Sequence, residues 1–317
     1  MTPSDTDRCL RTLVEHAWDR EVTWSQIQGW AENFTGQTTA VDVEREHALI
    51  ALTRFIYFGK RLVREMLRSL YRDHFEAPLI QRVRRNSLNT RDSLILKEQF
   101  KQELNSTRFI GVGNPSESGA HLLYYFRQIN RLSKDLFVDM GAAFSEVRPG
   151  GRIAALQAID LSACRYVFFD DVVGSAEQST SYLSAKIQRI RKANPRLDLR
   201  FMCLFATSKG LAKLNEKNMF DGKATSLFEL DDTYKVFNAL QRYFPPSLVG
   251  AFDNHTFEQM VRHYGQGLLP QHAAGYKDGQ LMIGFTHNTP DNTLPIYWNE
   301  GRRTPWSPIF VRYDKVY

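Results

Sequence analysis

Tyr166 to Thr180 reads YVFFDDVVGSAEQST: four large apolar residues, two adjacent carboxylates, two more apolar residues, then a loop of small and polar residues. The unbroken run Tyr166–Phe169 predicts a strand buried on both faces, as in a parallel sheet between helix layers. Its carboxyl end then forms the floor of any crevice above the sheet. Asp170 and Asp171 at that place cost desolvation energy unless hydroxyls, a cation or water satisfy them. A sugar diol supplies two such hydroxyls. Downstream, Gly174, Ser175 and Ala176 permit a close bend, and Glu177, Gln178, Ser179 and Thr180 open a helix whose free amides attract phosphate. Carboxylates suited to a ribose thus stand beside amides suited to its phosphate. Capping of the following helix would employ the same aspartates, and the residues alone leave both readings open.

The strand–turn–helix order around this stretch repeats. STRFIGVG leads through GNPSESGA into HLLYYFRQINRLSKDL, and LDLRFMCLFATSKG leads into LAKLNEK. A last strand, QLMIGF, follows a helical stretch at 255–265 and runs into THNTPDNTLPIYW. Such a series predicts a parallel sheet with crossover helices, in which ligands gather at the carboxyl ends of the strands. Four unusual loops are expected at that end: Gly113–Gly119, Asp170–Gln178, Ala206–Gly210 and His287–Asn292.

Before residue 104 the period is helical. Leu52, Phe55, Ile56, Gly59, Leu62, Val63, Met66, Leu67 and Leu70 form one stripe at three-four spacing, with a capping box expected from Thr39 and Asp42. Trp18, Trp24, Trp30 and Phe34 are expected in the core. The chain therefore divides into a helical N-terminal region, 1–103, and an α/β domain, 104–317.

The 317 residues, 43% of them apolar, suffice for a substantial core, and every apolar run is too short to span a bilayer. The early residues mix acids and bases without an apolar leader segment, so a membrane partner and secretion are not expected. Cys9, Cys164 and Cys203 have no metal-ligand spacing and read as buried thiols of a reducing cytoplasm. The net charge of +6 is concentrated between Arg54 and Lys101, where Lys60, Arg64, Arg68 and Arg72 recur every four residues along one helix ridge. That ridge is either a solvated helix face or a docking surface for a nucleic acid or a partner protein.

The acidic pair with its small-residue loop resembles the phosphoribosyl pyrophosphate signature of type I phosphoribosyltransferases. The forms DDVVGSAEQ, GNPSESG, HNTPDNTLPIYW and WSPIFVR more narrowly resemble phosphoribosyltransferase-like proteins of bacterial conflict systems, some of them effectors in retrons. The resemblance extends over nearly the whole chain. It implies a type I phosphoribosyltransferase-like parallel sheet with flanking helices, preceded by the helical region. It also implies an anti-phage role, with a reverse transcriptase, its RNA and DNA, and a DNA-binding protein as partners.

Carried over residue by residue, the resemblance implies that Asp170 and Asp171 hold the ribose hydroxyls and steady the cationic sugar. Gly174, Ser175, Ala176, Glu177, Gln178 and Ser179 would cradle the 5-phosphate. Gly113, Asn114, Ser116, Ser118 and Gly119 would take the place of the pyrophosphate loop, and His287, Asn288, Asn292 and Trp298 would face the base. Magnesium is expected with the ligand, with Asp170 or Asp171 able to reach it. Three positions depart from the family pattern: Ala176 stands for a usual glycine, Glu177 adds a negative charge beside the phosphate position, and the GNPSESG loop carries Glu117 and no base. Lys209, Arg148 and Arg152 are the nearby cations available to compensate, although the SEVRPGGRI stretch holding the latter two also reads as a plain hairpin. Two functions follow: bond making or breaking at the ribose C1 of a nucleotide or phosphoribosyl pyrophosphate, or an inactive nucleotide-sensing module whose basic ridge docks on a nucleic acid or protein.

Overall fold

In a computed structural model, the described residues are 3–113, 118–174, 177–245, 252–301, 305–310 and 312; residues 3, 118, 120 and 177–182 are described in backbone only. The helices are α1 (Pro3–Thr12), α2 (Trp24–Ala31), α3 (Val41–Leu52), α4 (Lys60–Tyr71), α5 (Ala77–Asn86), α6 (Ser93–Asn105), α7 (Ser118–Ile129), α8 (Met140–Ala143), α9 (Glu177–Ala193), α10 (Ser208–Leu214) and α11 (Asn254–Leu268). The strands are β1 (Ile56–Phe58), β2 (Thr107–Gly111), β3 (Phe144–Val147), β4 (Ala155–Ala158), β5 (Arg165–Val173), β6 (Asp198–Thr207), β7 (Ala224–Leu230) and β8 (Ile283–Phe285). The chain forms two compact units, Arg64–Leu230 and the combination of Met1–Val63 with Asp231–Tyr317. Residue 103, where the sequence period changes, marks the approach to β2; the compact division falls instead within α4 and after β7.

The Arg64–Leu230 unit holds a four-stranded parallel sheet in the order β2-β5-β6-β7. β5 is an inner strand, and Tyr166, Val167, Phe168 and Phe169 are all fully buried. Alternation sends Tyr166 and Phe168 into one core with Leu183, Ile187 and Ile190 of α9. Phe169 meets Phe126 of α7 at 5.4 Å on the other face. Each such side chain contributes about 1.5–3 kcal/mol on burial, which is why the run carries no polar residue until Asp170. SEVRPGGRI is the turn of an antiparallel hairpin, β3 with β4, with Gly150 and Gly151 both at positive φ. Phe144 of that hairpin lies 4.6 Å from Tyr166.

A charge network closes the amino ends of the strands. Arg165, 1% exposed, donates from Nε to Asp198 (3.0 Å), and from its terminal nitrogens to the Glu103 carboxylate (2.7 Å) and the Thr107 hydroxyl (3.0 Å). Asp198 also receives Arg82 at 3.4 Å, Arg200 at 3.0 Å and Lys223 at 3.1 Å. Burial works to raise the Asp198 carboxyl, but Arg200 and Lys223 overcome it and hold the group below the ordinary carboxylate range.

In the other unit, β1 pairs in parallel with β8, Ile56 opposite Ile283 and Phe58 opposite Phe285. Two expectations are corrected by this pairing. The stripe from Leu52 to Leu70 is not one helix, because α3 ends at Leu52 and the run Ile56–Phe58 is taken by a strand that stops before Gly59. The helical phase restarts at Lys60, leaving Leu62 45% exposed while Val63, Met66, Leu67 and Leu70 are buried. QLMIGF, for its part, supplies a strand to this small sheet and none to the four-stranded one. The expected capping box is absent as well: the N-cap of α3 is Ala40, without a side-chain cap. Buried Glu44 instead accepts from the amides of Gly36 and Thr38, each at 2.7 Å, and from the hydroxyl of Tyr264 at 2.5 Å. Trp18, Trp30 and Phe34 are core residues, whereas Trp24 is half-buried under the Arg11 guanidinium. Among the cysteines only Cys203 is buried; Cys9 is intermediate and Cys164 exposed.

Arg165→Ala is expected to cost about 3–5 kcal/mol in denaturant unfolding, because Asp198 and Glu103 lose the cation between them. Asp198 has a depressed folded pKa, so its contribution is complete above the unfolded value near pH 4 and is lost as pH falls through the folded value. Asp198→Asn should therefore flatten the acid limb of the stability curve, measured by unfolding at a series of pH values.

Candidate functional site

The carboxyl ends of β2, β5 and β6 bring together three β–α corners. Pairing of β5 with β6 continues to Val173 opposite Ala206, so Asp170 and Asp171 lie within the strand and not beyond its last residue. Successive strand side chains leave on opposite faces, which makes the two carboxylates inequivalent. Asp170 is half-buried, whereas Asp171 is only 8% exposed. One oxygen of each is engaged locally: Asp170 Oδ1 accepts from the amide of Asp171, and Asp171 Oδ1 from that of Val172, both at 2.9 Å.

Asp170 is opposite Cys203 in the ladder. Burial pushes the Cys203 thiol far up, a hydrogen bond with Ser226 opposes this, and the charges of Asp170 and Asp171 push it up further. The thiol beside Asp170 is therefore neutral and contributes no competing charge. On the other side, the main chain leaves β2 through Gly113, whose φ of +96° only glycine adopts freely. α7 then returns so closely that a Cβ on Gly119 would lie 3.0 Å from the Phe169 carbonyl, 3.1 Å from the Val112 carbonyl and 3.2 Å from Asp170 Oδ1. The third corner is β6–α10, where the Thr207 hydroxyl donates to the Gly174 carbonyl at 2.5 Å and accepts from the Gly210 amide at 3.0 Å. Sequence reasoning placed this loop at the ligand end but gave Thr207 and Gly210 no part. The available signal was a threonine at a strand end with glycine three residues later, the pattern of a side-chain N-cap.

Asp170, Asp171, Gly174, Gly113 and Gly119 thus occupy one end of one sheet. Asn114, Ser116, Ser175 and Ala176 lie outside the described residues. Ser118 opens α7, and Glu177, Gln178 and Ser179 open α9, in backbone only. Lys209 is exposed on α10, Arg152 is exposed near the hairpin turn, and Arg148 is paired with Glu146.

The expected base-side residues belong to the other unit. The loop holding His287 and Asn288 follows β8 and therefore does not extend the four-stranded sheet. Asn292 donates its amide to the Tyr276 carbonyl at 3.1 Å, and the indole of Trp298 donates to the Thr293 carbonyl at 2.8 Å. Thr289 and Thr293 are fully buried, Thr293 donating to the Ile283 carbonyl at 2.7 Å. HNTPDNT thus has an internal structural use in hydrogen-bonding its own neighbourhood. The basic ridge from Lys60 to Arg72 is also largely met by local partners. Lys60 pairs with Glu21 at 3.2 Å, Arg68 with Glu65 at 2.5 Å and Arg72 with Asp73 at 2.7 Å, while Arg64 lies 5.6 Å from the Tyr125 ring centre.

Gly119→Ala tests the close approach of α7. Replacing a helical glycine with alanine ordinarily gains up to about 1 kcal/mol. Here the new methyl meets two main-chain carbonyls of the sheet, so a net loss of about 1–2 kcal/mol is expected in denaturant unfolding; a net gain would show that the corner is loose.

Comparison with known proteins adds what geometry alone does not. No curated protein matches the chain. Among solved structures, the AQ2163 protein from Aquifex aeolicus is 14% identical, with a TM-score of 0.29, over 67% of this chain and 85% of its own. A xanthine-guanine-hypoxanthine phosphoribosyltransferase from Helicobacter pylori is 12% identical, with a TM-score of 0.25, over 56% and 86%. Superposition at these values is loose, and the assignment rests on sequence: the family model described as PRTase-CE matches residues 27–312. The chain belongs to this PRTase-CE family of phosphoribosyltransferase-like proteins.

Proposed function

We propose that the protein binds a 5-phosphorylated ribose, as phosphoribosyl pyrophosphate or a nucleotide, at the carboxyl ends of β2, β5 and β6, and acts at its C1. The observation that carries this reading is the placement of Asp170. It is a partly exposed carboxylate that directly follows five buried residues of an inner strand, beside the glycine-lined start of α7 and shortly before α9. Such a carboxylate accepts hydroxyl protons from a sugar diol, and a charge-assisted hydrogen bond of this kind contributes about 1.5–3 kcal/mol. The inequivalence of the pair divides the work. Asp170 contacts the ribose, while Asp171, nearly buried, holds the strand end and adds negative potential beneath the sugar. In the transfer reaction the C1–O bond to pyrophosphate breaks, the leaving group keeps the electron pair, and C1 gains a bond to a base nitrogen. When water is the acceptor instead, the same site cleaves the sugar from its leaving group. Either path develops positive charge at C1, which the two carboxylates stabilise.

Magnesium fits this site only together with its ligand. Among the described residues no cluster of three or more histidine, cysteine, aspartate or glutamate side chains could hold a metal, whereas one or two carboxylates with substrate phosphates are an ordinary magnesium environment. Asp170 is the residue here that could reach such an ion, which would neutralise the pyrophosphate leaving group. The resemblance to conflict-system proteins extends the proposal to an effector role in bacterial anti-phage defence of the retron type.

Calorimetric titration with phosphoribosyl pyrophosphate and magnesium tests the reading. Asp170→Asn is expected to weaken binding about 10- to 100-fold, the equivalent of one charge-assisted hydrogen bond. Asp171→Asn is expected to lower stability more than affinity. Equal affinity of wild type and Asp170→Asn would remove the ribose assignment.

A further inference from the structure

We infer that Thr207, together with Gly210, is a positioning residue for the ribose-phosphate site, holding the end of β5 in place from the neighbouring β6–α10 corner. The inference rests on the reading of Asp170 as the ribose contact. Its basis is the double use of one hydroxyl. Capping α10 requires only that the Thr207 oxygen accept from the Gly210 amide, as it does at 3.0 Å. The same hydroxyl also donates to the Gly174 carbonyl at 2.5 Å, a bond that capping does not need. Gly174 directly follows the last residue of β5 and stands three positions before the start of α9. Its carbonyl therefore lies immediately after the strand that carries Asp170 and Asp171.

Gly210 makes that fixation possible. A Cβ there would lie 2.4 Å from the Gly174 carbonyl oxygen, nearer than atoms approach without displacement, and 3.0 Å from the Thr207 hydroxyl. Only glycine lets α10 come close enough for its amide, the threonine hydroxyl and the strand carbonyl to form one chain. The ladder brings Val173 opposite Ala206, so Gly174 and Thr207 are the next residues along both strands, and the bond prolongs the pairing by a side chain where main-chain pairing stops. With Gly119 closing on Phe169 and Asp170 from the β2 side, the carboxylates are held from both neighbouring corners. Because small displacements of a binding group are costly, the Thr207 hydroxyl should affect ligand affinity as well as stability.

The test uses the full chain and two probes, phosphoribosyl pyrophosphate with magnesium and ribose 5-phosphate, titrated calorimetrically well below the melting temperature of each variant. Thr207→Val, which keeps shape and removes the hydroxyl, is expected to weaken both probes about tenfold or more. Thr207→Ser is expected to restore affinity to within about threefold, since it keeps both hydrogen bonds. Gly210→Ala leaves the Thr207 hydroxyl in place but displaces the carbonyl, and is expected to reproduce the loss. If Thr207→Val and Gly210→Ala lower the melting temperature yet bind both probes like wild type, the residues are structural and the inference is overturned. If wild type binds neither probe, the ribose-phosphate reading falls and takes this inference with it.

Discussion

The structure depends on one constraint: an inner strand sealed on both faces can bear charge only towards its ends, where polar partners can meet it. Tyr166 to Phe169 are completely buried between two helix layers, and no ionised group could stand among them without a cost of several kcal/mol. The charges are accordingly displaced to the two ends of β5, and the ends are treated differently. At the amino end Arg165 is enclosed by Glu103, Asp198 and Thr107, every partner supplied by the protein. At the carboxyl end each aspartate gives one oxygen to a neighbouring amide, and Asp170 retains partial exposure. Protein partners thus enclose the charge at one end, and a partly exposed carboxylate stands at the other.

This polarity was legible in the sequence because it is local. Four apolar residues followed by two acids specify where the apolar run stops, and the recurring strand–turn–helix order specifies that neighbouring strands run the same way. What was not legible depends on partners distant along the chain. Nothing near Phe55 tells that Ile56 to Phe58 will find Ile283 to Phe285 and interrupt a helical stripe. For the same reason QLMIGF looked like one more strand of the main sheet. Glu44 shows the limit on a shorter scale: an acid in the first turn of α3 is taken by the amides of Gly36 and Thr38 and the hydroxyl of Tyr264.

The candidate site was legible in the same measure. DDVVG marked the place, but period-two alternation, visible only once the strand was seen to continue to Val173, makes Asp170 and Asp171 inequivalent. Asn292 and Trp298 look like recognition groups in sequence and are engaged by main-chain carbonyls of their own unit. Thr207, given no part by the sequence, caps α10 and also reaches across to the Gly174 carbonyl that follows the strand carrying the carboxylates.

The proposal, a phosphorylated pentose held over Asp170, is supported by family membership and the geometry of β5. The most direct measurement is a high-resolution crystal structure of the protein with ribose 5-phosphate. The account predicts a ribose hydroxyl within about 2.5–3.0 Å of an Asp170 carboxylate oxygen and the 5-phosphate at the amino end of α9. A sugar bound away from β5, with Asp170 contacting only protein atoms, would contradict it.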